Sequence, residues 1–327
     1  MLVEHEALRH QWYVVAEGAD VTGAALAVRL LGIDYVLWRA RGGELVAAPD
    51  RCPHRESPLS IGTVEHGCLT CPYHGWSFGD DGRCVAIPSS GENARIPPAA
   101  HLDVVHVEER YGLVWICPDE PVGTIPAMPA EDDPAYRRIN SGVETWATSA
   151  TRMTDNFMDF AHFPWVHTGT FGLQDTTEIP TLHIEPLADG YVGYQYEVDA
   201  RNDTGGTTSS GQEGEVVHRR MTTGFHLPFV VRSTIHYDTG LDHLLLLCTT
   251  PVDDTTSYFT FVVWRNDDFS TPGEEIIAFD RAIGAEDRVM LERVPGVLPL
   301  DQQATASVQS DKPSVEWRRQ LAALLGS

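Results

Sequence analysis

The sequence predicts an α+β chain of two domains: an all-β domain, then a larger one built on an antiparallel sheet flanked by helices. Two observations carry this. Through the first third, short apolar runs (WYVVA, ALAVRLLG, YVLWR, LVAAPD, RYGLVWIC) are broken by Gly, Pro and Asp every eight to twelve residues, the pattern of short strands. Later, strand-like runs share the chain with two stretches of helical period, at 272–294 and 314–325. The predicted division is 1–120, a connection at 121–144 overlapping the Pro- and acid-rich stretch 117–136, and 145–327. A chain of 327 residues is long enough for two hydrophobic cores.

Within the second domain, residues 145–170 begin as a helix that Pro164 should kink or end. Strands follow from 181 to 266 in HIEPLADGYVGYQYEV, FVVRSTIHYD, HLLLLCTT and YFTFVVWRND, with 199–215 expected as a polar, mobile surface loop. There are no internal repeats.

Composition excludes several partner classes. Lys plus Arg number 23 against 47 Asp plus Glu, a formal net charge of −24, so no basic surface is available to neutralise nucleic-acid or lipid phosphates. No run of about 20 apolar residues spans a membrane, and MLVEHEALRHQWYVV lacks the basic-then-apolar order of a signal peptide. The expectation is a cytoplasmic chain. Six cysteines do not make a disulfide framework at this length, and Cys68, Cys84, Cys117 and Cys248 are read as free or buried thiols.

The chemistry concentrates in two places. Residues 52–76 read CPHRESPLSIGTVEHGCLTCPYHGW, placing Cys52 with His54 and Cys71 with His74 in Pro- and Gly-containing turns. Zinc knuckles ordinarily show C-x-x-C in one half, whereas each half here offers one thiolate and one imidazole. Two thiolates on one iron and two imidazoles on the other describe a Rieske [2Fe–2S] centre, with structural zinc as the alternative. Turn N–H groups can point at the sulfurs, and Leu59, Ile61 and Trp76 are candidates to shield one side.

The second place is RMTDNFMDFAHFPWVHTGTFG, with Asp159, His162 and His167 spaced D-x-x-H-x-x-x-x-H. Asp159 and His162 would share a helical face. The two histidines would lie about 140° apart on an unbroken helix, so a break at Pro164 is needed for them to converge. Two His and one carboxylate with open positions form the facial triad of non-haem Fe(II) oxygenases. On the later helix a track of Ile276, Asp280, Ile283, Asp287, Leu291 and Val294 buries two carboxylates, either of which ligation would relieve, while Glu286 is turned away. An ordinary core helix with hydrogen-bonded aspartates is the alternative.

The first motif is similar to that of the Rieske family in Cys52, His54, Arg55, Cys71, Pro72, Tyr73, His74, Gly75 and Trp76. Ser57 and Pro72–Tyr73 stand where respiratory members carry a disulfide, and Glu56 replaces the usual Gly and is expected to face solvent. With the second motif, the chain resembles a Rieske non-haem iron oxygenase α-subunit. QWYVVA, LLGIDYVLWR, RYGLVWIC and DNFMDFAHFPWVH resemble the vanillate and dicamba O-demethylase group, and HFPWVH, SDK and VEWRRQL resemble the saxitoxin-pathway hydroxylases.

That resemblance implies a helix-grip-like catalytic domain, a [2Fe–2S] cluster on Cys52, His54, Cys71 and His74, and mononuclear Fe(II) on His162, His167 and Asp287. It implies Asp159 as the electron-transfer bridge to His74 of a neighbouring subunit in a head-to-tail homotrimer, with Asn156 in support. It also implies a partner NAD(P)H-dependent reductase or ferredoxin, and O2-dependent hydroxylation or O-/N-demethylation of a small organic substrate. Ring cis-dihydroxylation and a non-catalytic electron carrier are the alternatives. Phe225, Phe229, His236 and Phe261 are candidate pocket residues.

Overall fold

The computed structural model describes residues 1–91, 95–175, 177–202 and 206–326. The chain divides into a unit of Val3–Ile125 and a unit of Pro126–Ser327 that also takes in Met1–Leu2.

The first unit opens with helix α1 (Glu6–Arg9), has short 3-10 turns at Gly18–Asp20 and Pro88–Ser90, and is built mainly of strands. Its strands are β1 (Tyr13–Glu17), β2 (Leu26–Leu30), β3 (Ile33–Arg39), β4 (Leu45–Pro49), β5 (Thr63–Glu65), β6 (Cys68–Thr70), β7 (Ser77–Phe78), β8 (Cys84–Ala86), β9 (His106–Arg110) and β10 (Leu113–Cys117). They make three antiparallel sheets, ordered β1-β10-β9, β2-β3-β4 and β5-β6-β7-β8. The loop before β5 carries Cys52 and His54, and the β6–β7 connection carries Cys71 and His74. Both cysteines sit in a core with Val36, Trp38, Leu59, Leu69 and Phe78. All six cysteines are unpaired.

The second unit is one large antiparallel sheet with helices. Its strands are β11 (Arg137–Asn140), β12 (Glu144–Trp146), β13 (Glu185–Pro186), β14 (Val192–Arg201), β15 (Val216–His226), β16 (Val230–Tyr237), β17 (Asp242–Pro251) and β18 (Ser257–Arg265). The order is β11-β18-β17-β16-β15-β14-β13, with β12 also on β18. The helices are α2 (Ala150–Met158), α3 (Phe163–Val166), α4 (Gly206–Ser210), α5 (Gly273–Leu291) and α6 (Lys312–Leu325). Ile277 and Leu291 of α5 and Met153 of α2 pack with Trp146, Phe259 and Val263, so both helices are fastened to the sheet by one apolar cluster.

Several elements differ from expectation for identifiable reasons. Residues 137–140, inside the segment read as a connection, pair with Val262–Arg265 as a sheet edge. HIEPLADGYVGYQYEV is a hairpin rather than one strand, turning at Asp189 and Gly190, both of positive φ. The expected loop at 199–215 is partly regular: 199–201 end β14, 206–210 are α4, and Asn202 and Ser210 are buried and bonded to each other. Residues 203–205 lie outside the described residues. Polar composition misleads at Asn202 and Ser210 because their side chains bond to each other and to the Gln212 and Gly214 backbone.

Candidate metal centres

The two cysteine–histidine loops share one backbone pattern. Cys52 N–H donates to Ser57 O and Glu56 N–H to Cys52 O; Cys71 N–H donates to Trp76 O and Gly75 N–H to Cys71 O. Each loop therefore needs a left-handed residue four places after its cysteine. Gly75 supplies it at φ 71°, and Glu56 at φ 59°, where a side chain costs about 1 kcal/mol or more. The Glu56 side chain lies in solvent, paired with Arg51. Asp50 braces the first loop, its Oδ1 accepting the N–H of Leu59 (2.5 Å) and Ser60 (2.7 Å).

The donors around these loops suit two irons better than one zinc. Ligands of a single tetrahedral zinc lie about 4 Å apart, yet no three of these four residues bring their donor atoms within 4.8 Å of one another. Instead the thiols of Cys52 and Cys71 touch each other, and the rings of His54 and His74 meet edge-on at 4.5 Å. Burial pushes the Cys52 thiol up to about 11, although the N–H groups of His54 and Arg55 favour its thiolate. A buried thiol such as Cys52 ionises when a metal supplies the opposing charge. His54 Nδ1 is buried without a partner, an orphan that a metal would satisfy. Trp76 stacks on His54 at 4.4 Å and Leu59 is buried, but Ile61 is 69 % exposed and shields nothing, because its turn points it outward.

In the second unit α2 begins at Ser149, whose hydroxyl accepts the Arg152 N–H, and ends before Asp159. Asp159 is extended, and its Oδ1 accepts the Ala161 N–H at 2.8 Å. Pro164 does not break a helix. It occupies the first turn of α3, where its missing N–H costs nothing. Asp159 thus meets His162 through a turn rather than along a helical face. His162 and His167 flank a four-residue helix, which brings their Nε2 atoms within 3.1 Å.

Both Nε2 atoms also face Asp287 Oδ1, at 3.4 and 3.5 Å. Asp280, one possibility on the same track, instead lies 3.4 Å from His243 Nε2. The outer nitrogens are held by carboxylates: His162 Nδ1 is 3.1 Å from Asp159 Oδ2, and His167 Nδ1 is 3.1 Å from Glu286 Oε2. Asn156 Nδ2 donates to Asp287 Oδ1 at 3.0 Å. This carboxylate–histidine arrangement frees Nε2 toward the common point, as metal sites do.

Glu286 is therefore not turned away. Its longer side chain swings back from α5 to His167 and also accepts the Gly169 N–H (2.7 Å) and the Thr170 hydroxyl (2.6 Å). A side chain at Gly169 would collide with it. Helical periodicity places a Cα and cannot show this reach; the glycine two residues past His167 was the available signal.

Electrostatics fit a cation at the common point. Burial disfavours charge on His162, yet Asp159 and Asp287 outweigh it and push the ring up to about 9. Burial and the neighbouring His162 hold His167 below its usual range despite Asp287 and Glu286. Burial would raise Asp159, but His162 and the Ala161 and His162 N–H groups bring it down.

The cluster opens on an apolar cavity of about 130 Å³ walled by α2, α5 and the sheet. Phe261 lines it, whereas Phe225 and Phe229 lie in the core away from it and His236 lies on another depression.

Fold and site together define a two-centre iron oxygenase, and comparison with known proteins agrees. Residues 11–104 match the Rieske [2Fe–2S] domain and residues 146–327 the vanillate O-demethylase oxygenase C-terminal domain. The chain belongs to the Rieske oxygenase α-subunits of the vanillate O-demethylase type. It is 32% identical to methylxanthine N1-demethylase NdmA of Pseudomonas putida, over 98% of this chain and 90% of that one. It is 37% identical to the dicamba O-demethylase oxygenase component of Stenotrophomonas maltophilia over 49% of this chain and 48% of that one. The structure of Pseudomonas putida CBB5 NdmA with caffeine superposes with a TM-score of 0.88 at 30% identity, covering 99% of this chain and 93% of that one.

Such a chain is the terminal oxygenase component of a monooxygenase system, fed with electrons by a reductase or ferredoxin. The family carries a [2Fe–2S] cluster in its Rieske domain and mononuclear iron in its oxygenase domain.

Proposed function

We propose that this chain O- or N-demethylates a small single-ring molecule. Its mononuclear iron is held by His162, His167 and Asp287, and its cluster by Cys52, His54, Cys71 and His74. The observation that carries this reading is the convergence of two imidazoles and one carboxylate on the wall of an otherwise apolar cavity. An engineered apolar cavity of about 150 Å³ holds benzene, so free space near 130 Å³ suits one ring. Methylxanthine, dicamba and vanillate demethylases among the relatives favour methyl removal.

Iron held by His162, His167 and Asp287 would supply the activation of O2 that, with two electrons and two protons, hydroxylates the methyl carbon and releases water. The hydroxylated methyl then leaves as formaldehyde. The chain's own residues prepare this. Asp159 and Glu286 fix the two imidazoles with Nε2 inward, Asn156 fixes Asp287, and the apolar wall excludes water from the reacting carbon.

Asp159 is 27 % exposed and His74 is exposed, which suits contact between subunits. In the proposed head-to-tail homotrimer Asp159 joins His162 to His74 of the partner subunit. The test supplies a surrogate reductase, NAD(P)H and a panel of methoxy- and N-methyl-substituted single rings. One formaldehyde per substrate consumed is expected; a cis-diol carrying both atoms of labelled O2 would overturn the reading.

A further inference from the structure

One charged group in the cavity wall takes no part in holding iron. Arg219 of β15 lines the cavity and is 3 % exposed, while the adjacent Arg220 points to solvent near Asp238. Among the described residues, the Arg219 guanidinium donates no hydrogen bond and has no carboxylate within ion-pair distance; its Nε is buried without a partner. Other buried arginines are differently provided for. Arg265 is held by Asp267 and the Thr208 carbonyl, and Arg318 by Asp155 and Thr305.

What Arg219 touches is aromatic. Its guanidinium carbon lies 5.0 Å from the centre of the Phe171 ring and 5.8 Å from that of Tyr237. Arginine stays charged at every accessible pH. Ring faces repay only part of the cost of desolvating it and leave its N–H donors unused. Phe171 also stacks on His167 at 4.7 Å, so the cation stands one ring away from the candidate iron ligands. The carboxylates on this wall are otherwise engaged, Asp159 with His162, Asp287 with both histidines and Asp280 with His243 at 3.4 Å, and among the described residues none forms an ion pair with Arg219.

Resting on the reading of this cavity as the substrate site, we propose that Arg219 anchors a carboxylate carried by the single-ring substrate and thereby directs the methyl-bearing end toward His162 and His167. A carboxylate supplies the paired acceptors that a guanidinium fork lacks here.

The test measures binding and needs no turnover. The iron-loaded protein is titrated calorimetrically, without O2, with 2-, 3- and 4-methoxybenzoate and with the three corresponding methoxybenzamides. At least one benzoate should bind about tenfold or more tighter than its amide, the scale of a hydrogen-bonded charge. In Arg219→Met that preference should vanish while amide affinity changes less than about threefold. The ligand-free Met variant should melt no lower than wild type, because an unpaired buried charge is removed. Arg219→Gln, uncharged but still polar, replaces it if the Met variant does not fold. Equal affinity for benzoates and amides in wild type, failure of every benzoate to bind, or a preference that survives the substitution would overturn the assignment. Benzoate binding without formaldehyde release would count against the proposed reaction and leave Arg219 in place.

Discussion

Asn156→Ala isolates the support of the candidate iron site from its ligands. Asn156 Nδ2 donates at 3.0 Å to Asp287 Oδ1, the same oxygen that faces both Nε2 atoms. The Asp287 side chain is only 7% exposed, so water cannot readily replace that donor. A hydrogen bond to a buried carboxylate is worth about 1.5–3 kcal/mol, or roughly a 10- to 100-fold change in affinity, the range seen for outer partners of metal ligands. Asn156→Ala should therefore weaken mononuclear iron binding by about 10- to 100-fold in competition with a chelator, with the Rieske visible absorbance unchanged. Iron affinity within about threefold of wild type would refute this role for Asn156.

Further outcomes follow from three other residues. Asp159→Asn should keep both iron inventories yet lose nearly all product formation; wild-type rates would remove the bridge role. At the left-handed position of the first cluster loop, Glu56→Gly should be more stable than Glu56→Ala by about 0.5–1 kcal/mol, since only Ala retains the backbone strain. Because the Glu56 carboxylate is exposed and paired with Arg51, both variants should leave the cluster midpoint potential nearly unchanged, and a large shift would contradict that placement. Burial, which Arg318 at 3.3 Å only partly offsets, pushes Asp155 up to about 6. A folded pKa above the unfolded value makes the carboxylate form destabilising, fully above pH 6 and not at all below about 4. Asp155→Asn should thus raise the melting temperature at pH 7.5, by at most about 3 kcal/mol of stability, with the gain gone near pH 4; a gain independent of pH would contradict it.

How much was legible depended on how local each signal was. The cluster ligands could be read because Cys52–His54 and Cys71–His74 each lie within one turn. Their matched backbone loops could not, since a left-handed Glu56 looks like any surface glutamate. His162 and His167 were legible as a pair, but the expected broken helix was wrong: the chain leaves α2 at Asp159 and restarts with Pro164 in the first turn of α3. The helical track narrowed the carboxylate to Asp280 or Asp287; the family resemblance favoured Asp287, and the packing of Asp280 against His243 on β17 is consistent with that choice. Arg219 and Arg220 are adjacent and identical in kind. Which one faces the cavity is set by strand register, because a slip of one residue exchanges them.

Under the proposed function this chain holds two iron centres, the second on His162, His167 and Asp287. Iron and acid-labile sulfide per chain, measured in wild type and in Asp287→Ala, test it most directly. About three irons and two sulfides are expected in wild type, and about two of each in the variant, with the cluster spectrum intact. A wild type with only two irons, or an Asp287→Ala protein that keeps the third, would contradict it.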